Sequence, residues 1–144
     1  MNSALDRASP TVRLEIPPQS AYVAIARLAI TSLGRAAGLD EEKLDDLKIA
    51  ISESCANAVL CVQESGVEAP IGISFTARSH ALEVVVSHAG TIVGDVDAAD
   101  ADSQGFSTQR VMSMALLRSL VDELDLSSGA EGGMQARLLL RRTT

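Results

Sequence analysis

Glu53 and Asn57 stand four residues apart in the run DLKIAISESCANAV, so on a helix one lies above the other on a single face. A carboxylate and an amide placed in this way can serve as a general base and as a ligand for a hard cation. The same spacing also occurs on ordinary solvated helix faces, because charged residues are mostly exposed. The flanking residues point to a pocket or a covering loop above the pair: Ile49, Ala56 and Leu60 fall near the same azimuth and set it in an apolar surround. His88 ends an alternating apolar run and is followed by Gly90. Arg27 is the lone charge in the run YVAIARLAI, where the ordinary expectation is an arginine that snorkels to solvent. Asp95, Asp97, Asp100 and Asp102 crowd one stretch, but they lack the ligand order, central Gly and terminal Glu of a calcium loop.

The elements that must position these residues follow from the periodicity. Val12, Leu14 and Ile16 alternate with Arg13 and Glu15 as in a half-buried strand, and Pro17-Pro18 ends it. Ser20 is expected to cap a helix running to about Ala37 and stopped by Gly38, and Asp40 a second helix closed by Gly66. On that second helix Leu44, Leu47, Ile51, Cys55, Ala58 and Val62 form the stripe that must lie on a sheet. Ile71, Ile73 and Phe75, then Leu82, Val84 and Val86, alternate about a turn at Arg78-Ser79-His80, which predicts a hairpin. His88 to Thr108 reads as a long loop, Gln109 to Leu120 as a third helix, Val121 to Leu126 as a strand, Ser127 to Gly133 as a turn and Met134 to Arg141 as the last strand. The order β-α-α-β-β-α-β-β predicts an α+β single-domain, two-layer sandwich, with a mostly antiparallel sheet and helices on one face. Residues 1–10 are expected to be a disordered tail and 11–144 the domain.

The chain has 144 residues, a length at which roughly 68% of the unfolded surface is buried and no staple is needed. Its 12 Lys+Arg against 19 Asp+Glu give a net charge of −7, and it has no Trp, one Tyr and two Phe. Such a chain lacks the basic stripe and stacking platform of nucleic-acid binding, so no direct nucleic-acid partner is expected. No stretch reaches the roughly 20 apolar residues of a membrane span, and the N-terminus has no basic or apolar targeting segment. Two cysteines are too few for a disulfide framework, and Cys55 and Cys61 are separated by about 9 Å of axial rise on one helix. A cytoplasmic protein with both thiols buried is the expectation.

Within this order, DLKIAISESCANAV resembles the N-box of the GHKL ATPase/kinase (Bergerat-like) fold, specifically the small RsbW/SpoIIAB-type bacterial anti-sigma factors. EIPPQSAYVAIARLAI resembles their first strand and helix, and VDELDL with the final strand their C-terminal hairpin, so the resemblance spans residues 11–141. It implies a regulator that holds a sigma factor away from RNA polymerase and is countered by a STAS-type anti-anti-sigma partner. In active members, an ATP-Mg-dependent kinase phosphorylates a serine on that partner. By matching position, Glu53 would be the base, Asn57 the Mg²⁺ ligand, His88 and Gly90 the adenine box, and Arg110 and Ser113 part of the phosphate box. Tyr22 and Arg27 would contact partners, and a homodimer is implied.

Several departures bear on the chemistry. His88 replaces the aspartate that fixes adenine, which weakens the contact because imidazole accepts at one nitrogen. Arg110-Val111-Met112-Ser113-Met114 has no glycine where the family uses glycines to let backbone N–H groups approach phosphate. The stretch between His88 and Gln109 carries the four aspartates and no Lys or Arg, although Arg110 offsets part of that charge. Cys61 replaces a common histidine. The expectation is an anti-sigma factor with weak or lost kinase activity and weakened ATP and Mg binding. The alternatives are an active serine kinase and a module binding another ligand in the remnant pocket.

Overall fold

Alternating apolar residues build the sheet. In the computed structural model, which describes residues 10–89, 104–128 and 133–142 apart from the side chains of 104–110, the strands are β1 (Thr11–Ile16), β2 (Ile71–Ala77), β3 (Ala81–His88), β4 (Glu123–Ser128) and β5 (Met134–Arg141). They form one sheet in the order β1-β2-β3-β5-β4, every pair antiparallel. Ile71, Ile73, Phe75, Leu82, Val84, Val86, Leu138 and Leu140 all face inward and are buried. The period of two places Glu83, Arg137 and Asp125 on the other face, where Arg78 and Arg137 both donate to Glu83 and Arg137 donates to Asp125. Burial alone would raise the Glu83 pKa, but the hydrogen bonds and charges of Arg78 and Arg137 hold it below the usual value.

Three helices cover the inner face: α1 (Val23–Ala36), α2 (Glu41–Ser65) and α3 (Gln104–Leu120). The first begins as a turn of 3-10 helix at Ser20–Tyr22, with Gln19 rather than Ser20 at the cap position and no side-chain bond there. Asp40 caps α2 as expected, its carboxylate accepting the Lys43 amide at 2.9 Å, and Gly66 closes the helix in the left-handed region at φ 74°. The α2 stripe Leu44, Leu47, Ile51, Cys55, Ala58 and Val62 is fully packed against the sheet. Ala26 and Ile30 of α1 and Leu117 of α3 complete the same core. This is the two-layer α+β architecture expected from the element order.

Three boundaries differ from expectation. The third helix starts at Gln104, not Gln109, because a glycine such as Gly105 is tolerated in a first turn despite its low propensity. The fourth strand starts at Glu123, not Val121: the Val121 amide still bonds back to Leu117, and the Asp122 amide turns the chain onto Leu139. Ser127 and Ser128, expected in a turn, instead pair with Gln135 and Met134. The expected N-terminal tail, Gly90 and the four aspartates of the 88–109 stretch lie outside the described residues, except that Pro10 is described as exposed coil.

Candidate functional site

Helix α2 sets Glu53 and Asn57 one turn apart, both half-buried, on the side away from the sheet. Helix α3 lies across this side. Its register is fixed by Leu117, 1% exposed and locked in the core, and Ser113, four residues earlier, shares that inward face. Ser113 is 4% exposed. Its hydroxyl donates to Glu53 Oε2 at 2.6 Å and accepts from Asn57 Nδ2 at 2.5 Å. The polar pair of α2 is therefore met by a side chain of the same protein.

Ile49 and Leu60 flank the pair and are exposed by 46% and 39%, so the apolar surround seen in the sequence faces outward. Arg27 of α1 is half-buried and donates from Nη1 to Ser52 Oγ at 3.3 Å, which brings its guanidinium to the α1–α2 seam beside the residue preceding Glu53. Tyr22 is at the start of the same helix, 36% exposed. Between and beyond them Ile25 and Leu28 are 50% and 67% exposed, an apolar strip that the sequence signalled only as a helix apolar nearly all round. Val111 and Met112 of α3 are also exposed. The Arg110 side chain lies outside the described residues.

His88 is the last residue of β3, half-buried and opposite Met134 of β5. Gly133 approaches it so closely that a Cβ there would collide with the His88 carbonyl oxygen, so glycine is required at that point. A groove of about 700 Å³ lies elsewhere, where Pro17, Pro18, Val62, Val67, Glu68 and Pro70 meet at the far end of α2. Val62 is about 13 Å along the helix axis from Glu53. Cys55 and Cys61 are both buried and outside any disulfide, and burial pushes the Cys55 pKa up to about 12.

Residues 16–139 match the histidine kinase-like ATPase domain. The chain belongs to this family. Among curated relatives it is 33% identical to the serine-protein kinase RsbW of Bacillus subtilis over 79 residues, 55% of this chain and 49% of that protein. It is 26% identical to RsbW of Bacillus pumilus over 140 residues, 90% of this chain and 83% of the relative. The chain thus spans about half of one curated relative and most of the other. Among solved structures, the fold is shared with the RsbU and RsbW domains of a Mycobacterium tuberculosis protein, at a TM-score of 0.68, 19% identity and coverage of 94% of this chain and 33% of that one. It is also shared with a chain of the SiaB–SiaC complex from Pseudomonas aeruginosa, at 0.66, 11% identity and coverage of 96% and 94%.

The group this family implies is a magnesium-bound nucleotide, and the described residues do not fit it. The amides of residues 110–114 lie six residues and more past the start of α3 at Gln104. Only the first four amides of a helix are unpaired, so these are committed to the helix and cannot cradle phosphate. Ser113 already engages one oxygen of Glu53 and the amide nitrogen of Asn57. Among the described residues no group of three or more His, Cys, Asp or Glu could hold a metal ion. None of the described helices is long and apolar enough to cross a membrane.

Proposed function

We propose that this chain is an RsbW-type anti-sigma factor that sequesters an RNA polymerase sigma factor in the cytoplasm and is released by a STAS-type anti-anti-sigma partner. Its own phosphotransfer is weak or lost, and competition between the two proteins decides which is held. The observation that carries this reading is the bond pair from Ser113 to Glu53 and Asn57, which occupies the residues that nucleotide chemistry would use. Further support comes from the curated relatives named as RsbW and from the likeness in fold to a chain of a two-protein complex.

In this reading the partner face is the first helix. Tyr22, Ile25 and Leu28 supply exposed apolar surface, and Arg27, braced by Ser52, supplies a fixed charge for a carboxylate on the partner. The net charge of −7 speeds encounter with a basic partner. A homodimer through the sheet and first-helix regions belongs to the same proposal. A second reading, an active serine kinase, is favoured by one contact: Glu53 already accepts a serine hydroxyl at 2.6 Å, the bond a substrate serine would make.

Capture of bound proteins from the native cell, with their identification, separates the readings. Recovery of a sigma factor supports the proposal. Transfer of γ-phosphate to a captured antagonist, abolished in Glu53→Ala, would establish the kinase reading instead.

A further inference from the structure

We infer that Ser113 is the specificity-determining residue of the Glu53/Asn57 site: its hydroxyl occupies the polar centre and closes the site to magnesium-bound nucleotide. This rests on the proposed reading that nucleotide chemistry is weak or lost, and it assigns to one side chain the part of that loss that falls on Glu53 and Asn57.

The geometry uses the hydroxyl as donor and acceptor at once. Its single proton goes to Glu53 Oε2 at 2.6 Å, and a lone pair takes the Asn57 amide at 2.5 Å. The bond to Glu53 ends on a carboxylate and is of the stronger, charge-assisted kind. A newcomer that takes Glu53 Oε2 or the Asn57 amide must first break a bond made by the buried Ser113 hydroxyl, which would be left unpaired. Ser113 cannot withdraw by a local rotation of α3, since Leu117 on the same face is 1% exposed and anchored in the core. A cation seeking Glu53 and Asn57 therefore meets the Ser113 oxygen bonded to both.

Removal of the hydroxyl reverses each of these effects. Ser113→Ala leaves Glu53 and Asn57 half-buried and within reach of water, so the fold survives while the centre of the site opens. Ser113→Gly removes the Cβ as well and serves as a second variant.

The test is calorimetric titration of the full-length wild type and both variants with ATP and Mg²⁺, each checked for cooperative thermal unfolding. A second measurement needs no variant: the Asn57 side-chain amide resonances of the wild type are followed as the same ligand is added. The expected result is affinity at least tenfold tighter in a folded Ser113 variant than in the wild type, the gain lost again in Ser113→Ala/Asn57→Ala, with wild-type Asn57 resonances unmoved. Equal or weaker affinity in the folded variants, or displaced Asn57 resonances in the wild type, overturns the inference. Failure here leaves partner capture by the wild type untouched, so the two proposals fail separately.

Discussion

Ser113 Oγ and Glu53 Oε2 lie 2.6 Å apart although 60 positions separate them in the chain. This contact joins the third helix to the second at the proposed site. It depends on α3 holding its register, which rests on one fully buried anchor, with Met114 and Leu120 packed partly against the same core.

Leu117 is that anchor. Leu117→Ala should destabilise the protein by about 2–5 kcal/mol, the range for a buried leucine that leaves a cavity. Denaturant unfolding followed by circular dichroism measures it. A loss below about 1 kcal/mol would mean that α3 is held by other contacts.

The sheet's outer face carries a pH-sensitive pair. Arg78 and Arg137 hold the Glu83 pKa down in the folded protein, so the native state binds fewer protons than the unfolded chain, and stability rises with pH across that window. The contribution is complete above the ordinary glutamate value of about 4.3 and is lost as pH falls through the lowered folded value. Glu83→Gln should cost about 1–3 kcal/mol at neutral pH, as for hydrogen bonds to a charged group. The gap between wild type and variant should close on acidification, and urea titrations at a series of pH values check this; a constant gap would contradict it.

Cys55 should resist modification. A thiol with its pKa pushed up to about 12 by burial holds almost no thiolate at neutral pH. Alkylation followed by mass spectrometry should leave Cys55 unlabelled in the native protein and fully labelled in denaturant. Rapid native labelling would show that α2 opens at its centre.

Arg27→Glu should weaken capture of the sigma factor by about tenfold or more, as expected when one member of a charged contact is reversed. The Arg27–Ser52 bond is half-buried, so stability should fall by no more than about 1 kcal/mol. Unchanged affinity would remove Arg27 from the partner face.

Much of the frame was legible from local pattern. The α2 stripe, the β2–β3 hairpin, the Asp40 cap and the Gly66 stop each follow from spacing or from a residue's backbone preference. The early start of α3 was not legible, because Gly105 and its polar neighbours read as loop and the helix is fixed instead by the burial of Leu117. Glu53 and Asn57 were legible as a pair, since four residues on a helix define a face. What faces them was not. The sequence pointed to Ser113 as a backbone position, whereas its side chain forms the contact, a tertiary relationship that no local period encodes. Its sole signal was the i, i+4 spacing to a leucine in an otherwise mixed helix.

The most direct test of the account is the affinity of the wild-type protein for its captured sigma factor, measured with and without saturating ATP and Mg²⁺. A sigma factor is expected to be recovered, with the same affinity in both conditions. Failure to recover any sigma factor, or an affinity that changes tenfold or more with ATP and Mg²⁺, would contradict it.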